Sequence, residues 1–325
     1  MTRYLFALVL LVSSFFCFSH DGPEPPSPMD LDTLTKAFGW DFDKAEITTE
    51  TVSDNLYVLF GNGGNIAVSV GDDGVLIVDD QFPQLMPKIK SAIGKLARKL
   101  STNESKDVDF VINTHWHFDH AEGNLTLGPD GTWVVAQLNS REMMKNDHLI
   151  NLVGLSYMQE AYPENAWPAI TYDDTMHFHF NGEDIDLLHF GPAHTTGDTA
   201  IIFRNSNAVH LGDVFNNAGY PFIDAGNGGT LEGIIKFCAE TLAQINEDTT
   251  VIPGHGPITD YQALSDYIEM LSIIRDRMMV LIEAGATLDE VYAAKVTKDW
   301  DKKMGDNMGF INRSYMSLTH KVVDR

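Results

Sequence analysis

The segment "NTHWHFDH", residues 113–120, constrains this chain more than any other stretch. It places His115, His117, Asp119 and His120 directly after the apolar run "VDFVINT" (108–114). That run reads as a buried strand, so the cluster falls in the loop at its end, where α/β proteins place their chemistry. His115 and His117 are two apart, and from an extended turn both imidazoles can converge on one ion. Asp119 and His120 project differently and can serve a second. Neutral imidazole suits zinc, and a carboxylate is a compatible ligand. One cluster rarely completes a site, so further donors are expected at other strand ends. "GPAHTTGD" (191–198) offers His194, "HLGDVF" (210–215) offers Asp213 and "PGHGP" (253–257) offers His255. Each follows a strand pattern, so the fold has to carry four strand ends to one place.

Around these motifs the chain alternates. β-type runs at 55–60, 65–70 and 74–80 are separated by "GNGG" and "GDDG", which is turn chemistry. A helix is expected over 86–100, with Ile89, Ile93, Leu96 and Leu100 on one face. A strand follows at 132–137 and a helix at 139–146. Further strands are expected at 175–180, 184–190, 199–204, 207–211 and 249–254. Helices are expected at 230–245, 259–284 and from 287. This is a layered α/β pattern. No linker divides residues 51–325, which read as one domain carrying C-terminal helices.

"HWHFDH" resembles the HxHxDH signature of the metallo-β-lactamase superfamily. His194, Asp213 and His255 follow in that superfamily's order, and "GVLIVDD" is similar to its early strand ending in Asp, here Asp79. The resemblance runs from about residue 52 to 258. It implies a four-layer αββα sandwich with a two-metal site at one edge. By the same resemblance His115, His117 and His194 hold one zinc, Asp119, His120 and His255 hold the other, and Asp213 bridges them. Iron or manganese is the alternative to zinc. Asp79 is expected to accept the second N–H of a ligating histidine and so fix its tautomer. Asp80 should point away by strand alternation. His177 and His179 form another HxH pair, but in a plain strand, and read as strand-face residues. His189 and His210 read as packing or supporting residues.

The chemistry expected of such a site is metal-assisted hydrolysis of a small carbonyl substrate, with Asp119 both a ligand and the proton-handling group. No G-x-S-x-G motif suggests a serine nucleophile. Asp in the bridging place is similar to the family's thioesterases and lactonases, so an ester, thioester or lactone is the leading substrate class. β-Lactam hydrolysis is the second reading. It is weakened because Asn216 stands where the best-known β-lactamases of the family carry Lys. Trp116, Asn216, Tyr220 and Phe222 are the candidate substrate contacts. "GNGGN" (61–65) is either a flap over the site or a plain hairpin turn. A non-catalytic metal-binding module is the alternative of a different class, and loss of ligands would mark it; here none is lost.

The N-terminus "MTRYLFALVLLVSSFFCFSH" carries Arg3, an apolar run and small residues, which is a secretory signal pattern with cleavage expected after Ser19. Residues 20–50, rich in Pro and Asp, read as a mobile lead-in. Export to a periplasmic or extracellular compartment, with no stable membrane anchor, is the expectation. Of the two cysteines, Cys17 would leave with the signal, and Cys238 in "GIIKFCAETL" reads as core filler. The net charge of −24 repels phosphate backbones and argues against a nucleic-acid partner.

Overall fold

Apolar runs without polar interruption dominate the central strands, and such runs are stable only when both faces of a sheet are covered. The computed structural model, which describes residues 27–100 and 107–319, shows how they are covered. In chain order, α1 (Leu31–Ala37) leads into strands β1 (Thr48–Thr51), β2 (Leu56–Phe60), β3 (Ile66–Gly71) and β4 (Gly74–Val78). Then come α2 (Met86–Leu100), β5 (Phe110–Ile112), the short helices α3 (Phe118–Ala121) and α4 (Asn124–Leu127), β6 (Trp133–Gln137) and α5 (Leu138–Met144). A hairpin of β7 (His148–Asn151) and β8 (Ser156–Gln159) precedes β9 (Ile170–Tyr172). The second half holds β10 (Thr175–Phe180), β11 (Glu183–Leu188), β12 (Ala200–Phe203), β13 (Ala208–His210), α6 (Leu231–Leu242), β14 (Thr250–Ile252) and β15 (Thr259–Asp260). Helices α7 (Tyr261–Glu283), α8 (Leu288–Ala293), α9 (Asp301–Met304) and α10 (Met308–Thr319) close the chain.

The strands form two large sheets, ordered β1-β2-β3-β4-β5-β6-β9 and β10-β11-β12-β13-β14-β15. Strand alternation sorts their side chains into layers. Leu76 and Val78 of β4 meet Ile201 and Phe203 of β12 in a core between the sheets. Val75 and Ile77 of β4 turn outward and pack in a second core with Ile89 and Ile93 of α2. Ala200 and Ile202 of β12 turn the other way, into a core with Phe237 of α6 and Leu271 of α7. The order is helix, sheet, sheet, helix: an αββα sandwich. Each fully buried aliphatic or aromatic side chain contributes about 1.5–3 kcal/mol.

The lead-in over residues 20–50 was expected to be mobile, and for its described part the structure differs. Asp30 caps α1 by accepting from the Thr33 amide at 2.7 Å. Leu34 is fully buried in the core that holds Leu59, Ile66 and Phe82. Lys88 of α2 donates to the carbonyls of Phe42, Asp43 and Ala45, each at 2.8 Å. The prolines lie at its start, between residues 23 and 28, and beyond them apolar residues such as Leu34, Trp40 and Phe42, together with Lys88, dock the segment. The expected signal, with Cys17 and Ser19, lies outside the described residues. Strand β1, "TTET", is exposed at all four positions, so it carries no apolar alternation to announce it.

Parallel pairing of β4 with β5, and of β13 with β14, sends four strand ends the same way within their sheets. The sheets are tied together at that edge. The Asn65 amide N–H donates to Gly254 O at 2.7 Å, its side chain donates to Pro253 O and Gly256 O, and the Thr199 N–H donates to Thr114 O at 2.9 Å. His177 and His179 lie on the solvent face of β10, bonded across the pair to Asp186 and Asp184 at 2.7 and 2.6 Å.

Two outcomes test this description. Leu34→Ala should lower unfolding free energy by about 2–5 kcal/mol in a denaturant titration, whereas a mobile lead-in would give no change. Cys238 is fully buried, and burial pushes its thiol far above the usual range. A thiol reagent at pH 8 should leave Cys238 unlabelled by mass spectrometry in the folded protein and label it once denaturant is added.

Candidate metal centre

Side chains from both sheets meet where the strand ends converge. The loop after β5 gives His115, His117, Asp119 and His120, and the segment between β11 and β12 gives His194. Asp213 follows β13, and His255 follows β14. Three overlapping groups have their donor atoms within 4.8 Å of one another: His115, His117 and His194; His115, His120 and Asp213; and Asp119, His120 and His255. Asp213 lies between the sets. Its Oδ1 is 3.0 Å from His120 Nε2 and 3.4 Å from His255 Nε2, and its Oδ2 is 3.8 Å from His194 Nε2. The structure thus brings together all seven residues expected from the sequence.

Outer partners fix which nitrogen faces in. His120 Nδ1 donates to Asp79 Oδ2 at 2.7 Å. The Thr114 amide and hydroxyl also bond the Asp79 carboxylate, both at 2.7 Å. Because the Thr114 hydroxyl spends its hydrogen on Asp79, it accepts from His115 Nδ1 at 3.0 Å. His194 Nδ1 donates to the Phe222 carbonyl at 2.8 Å, and His117 Nε2 donates to Asp224 Oδ2 at 3.0 Å. Asp79 takes a left-handed backbone, φ 61°, as it turns its carboxylate under the loop.

With those N–H groups committed, the inward nitrogens of the neutral rings carry lone pairs. His117 Nδ1 and His194 Nε2, whose outward N–H groups are both taken, face each other at 2.9 Å, and His120 Nε2 lies 3.2 Å from His255 Nε2. Lone pairs at such separations repel unless a proton or a metal cation lies between them. His115 Nε2 and Asp213 Oδ1 are buried without a hydrogen-bond partner. The charge balance says the same. Burial opposes a charged His255, but Asp213 and Asp119 outweigh it and lift the pKa to about 10. Burial, reinforced by His120, His194 and His117, holds His115 well below the usual imidazole range. Divalent cations satisfy both tendencies at once, supplying positive charge beside the carboxylates and an acceptor for the lone pairs.

The backbone is shaped to this packing. A Cβ on Gly254 would sit 2.0 Å from Asp213 Oδ1, and one on Gly64 would sit 2.1 Å from the His120 ring. Gly64 is also held by backbone bonding to Asp119 O and by Gln81, whose amide donates to Gly64 O at 2.6 Å. The "GNGGN" segment is therefore a pinned hairpin turn against the ligands.

The substrate contacts fare differently. A cavity of about 480 Å³ opens over His117, Asp119, Asp213 and His255, and Asn216, Tyr220 and Phe222 line it. Trp116 does not line it. It is fully buried in the core behind the loop, because strand-like alternation turns it away from His115 and His117. Asp80 is also fully buried, packs against Gly123 and lacks a side-chain partner. His210 supports the Asp213 loop: its Nε2 donates to Asn65 O, and its Nδ1 accepts from the Gly212 amide. Asp224 and Thr114 were not anticipated from the sequence. Asp224 sits in "YPFIDAGNGG", after no strand, and nothing local marks it.

The sequence pattern of the Metallo-beta-lactamase superfamily matches residues 59–273, and the chain belongs to this superfamily. It is a metal-dependent hydrolase of that group. It is 23% identical over 210 residues to a probable metallo-hydrolase of Methanocaldococcus jannaschii, covering 63% of this chain and 94% of the other. It is also 23% identical over 167 residues to the mitochondrial hydroxyacylglutathione hydrolase of Saccharomyces cerevisiae, covering 50% of this chain and 53% of that enzyme. In three dimensions it is similar to a sec-alkylsulfatase from Pseudomonas sp., with TM-score 0.61, 16% identity, and coverage of 85% of this chain and 50% of the sulfatase.

Metal analysis of variants checks the assignment. His117→Ala and His255→Ala should each lose bound zinc relative to the parent, and retention of full metal by both would overturn it. Asp224→Ala should weaken zinc affinity about 10- to 100-fold through the freed His117 ring.

Proposed function

We propose that this chain is an exported hydrolase, built for two zinc ions, that cleaves uncharged esters, thioesters or lactones. The observation that carries the substrate class is the cavity over the donor cluster. Its lining includes Asp119, Asp213 and Asp306 and no Lys or Arg. With Asp119 and Asp213 committed to the metals, an anionic substrate would still meet the Asp306 carboxylate and, among the described lining residues, no Lys or Arg to pair with. The side chain of Asn216 is neutral and held within its own loop, so it offers no charge to an anion. Its Nδ2 donates to Tyr220 O, and its Oδ1 accepts from the Ala218 amide. This disfavours β-lactams, which carry a carboxylate. Export rests on the N-terminal sequence.

His115, His117 and His194 would hold one ion and Asp119, His120 and His255 the other, with Asp213 between them. Zinc ions bound there lower the pKa of water and polarise a carbonyl oxygen. The protein's own part is positioning. Asp119 lines the cavity, with Oδ2 3.2 Å from His255 Nε2. Burial favours its protonation, but His120 and His255 outweigh burial and keep the carboxyl below its ordinary range. It can therefore accept the proton of the attacking water and pass it to the leaving group. Asp79 and Asp224 keep His120 and His117 in the ligating tautomer, and the buried walls restrict bulk water.

Initial rates on a neutral lactone, a phenyl ester and a chromogenic cephalosporin, with zinc-loaded and chelated protein, test the proposal. The expected result is turnover of the neutral substrates that chelation abolishes, with the cephalosporin slower by at least about tenfold. A faster cephalosporin rate would replace the reading with a β-lactamase. No turnover by fully metallated protein would refute a hydrolase of this substrate class.

A further inference from the structure

The cavity is closed by parts of the chain that the superfamily pattern, residues 59–273, does not include. Phe38 and Trp40 come from the segment after α1, and Met304 and Asp306 from α9 and the residues just beyond it. Phe38 is 41% exposed, one of few large apolar side chains left in water among the described residues. It stacks on Trp40 at 4.8 Å between ring centroids, Trp40 meets the edge of Phe82 at 5.6 Å, and Phe82 lies 6.1 Å from Phe118. Phe118 immediately precedes Asp119. A row of aromatic rings thus runs from solvent to the donor cluster. At the other side of the donors, Phe222 lies 6.1 Å from the His117 ring and 5.8 Å from the His194 ring.

The polar side chains of the wall are spoken for. Tyr220 lies flat on Phe310 at 5.0 Å, and its hydroxyl donates to Asp301 Oδ1 at 2.9 Å, so it offers the cavity a ring rather than a proton. The Asn216 amide is bonded within its own loop. Asp306, whose Oδ1 accepts from the Met308 amide at 3.1 Å, adds a negative charge to the lining, and no Lys or Arg is among the described lining residues. An aromatic wall with its polar groups turned elsewhere recognises apolar surface, and a carboxylate at its edge turns away anions.

Resting on the hydrolase reading above, we propose that Phe38 and Trp40 are specificity residues that seat an extended apolar acyl or aryl group of the substrate, and that Asp306 excludes substrates with a distal negative charge. The substrate class is then a neutral ester or lactone with a medium-length alkyl or an aryl acyl group.

Two measurements separate this proposal from the reading beneath it. The first is kcat/KM for p-nitrophenyl acetate, p-nitrophenyl octanoate and the p-nitrophenyl monoester of octanedioic acid, using zinc-loaded parent, Phe38→Ala, Trp40→Ala and Asp306→Asn. The octanoate-to-acetate ratio should fall about tenfold or more in Trp40→Ala and by less in Phe38→Ala, the range expected for losing contacts to a few methylenes. The carboxylate-terminated ester should gain about fivefold on the octanoate in Asp306→Asn. Equal losses on acetate and octanoate, or an unchanged ratio, would overturn the proposal. The second needs no turnover. A terminally brominated octanamide should quench tryptophan fluorescence saturably in the parent and much less in Trp40→Phe, which keeps an apolar ring and the packing around it. Quenching without hydrolysis of any ester would sustain the apolar seat and sink the hydrolase reading. Hydrolysis without saturable quenching at Trp40 would sink the seat alone.

Discussion

Everything at the centre depends on one electrostatic constraint: nitrogen lone pairs and carboxylate oxygens are held closer together than they tolerate without positive charge between them. The constraint is imposed from behind. Asp79, Asp224, Thr114 and the Phe222 carbonyl take the outward N–H groups of four histidines, so these rings cannot turn to relieve the crowding. The cost of assembling such a cluster is borne by the sandwich, whose three cores bury large aliphatic and aromatic side chains on every central strand. Binding of cations returns part of it, because free energy gained on binding to the folded state is also free energy of folding.

The sandwich matters to the site for its direction as much as for its stability. Parallel pairing in the middle of each sheet points several strand ends toward the same edge, and ties such as Asn65 to Gly254 hold the two edges in register. Glycine is needed wherever backbone passes against a ligand, as at Gly64 and Gly254. These positions look like ordinary turn residues until the neighbouring ring or carboxylate is in place.

The sequence made the donor set legible because strand ends are marked by apolar runs that stop at polar clusters. His115, His117, Asp119, His120, His194, Asp213 and His255 all lie at such stops, and Asp79 ends a run as well. The supporting residues have no comparable mark. Asp224 acts through a fold-back of a glycine-rich loop, and only the tertiary structure brings it to His117. Trp116 is flanked by ligands, which suggests a place in the site, but alternation sends it to the core on the opposite side. The docking of residues 30–47 has no strand or long-helix periodicity to announce it: Leu34, Trp40 and Phe42 are separated by polar residues, and partners such as Phe82 are far along the chain. Strand β1 lies at a sheet edge with exposed side chains, where hydrophobic patterning carries no information.

Each candidate group of donors draws on both sheets. His115 and His117 follow β5 of the first sheet, while His194 precedes β12 of the second; Asp119 and His120 face His255 in the same way. An ion held there would act as a rivet through the sandwich. Losing it would break more than its own coordination bonds, because the two sheets would also lose a tie at that edge. A chelator entering through the cavity would then loosen the layers against each other, so metal content and the stiffness of the sandwich are coupled.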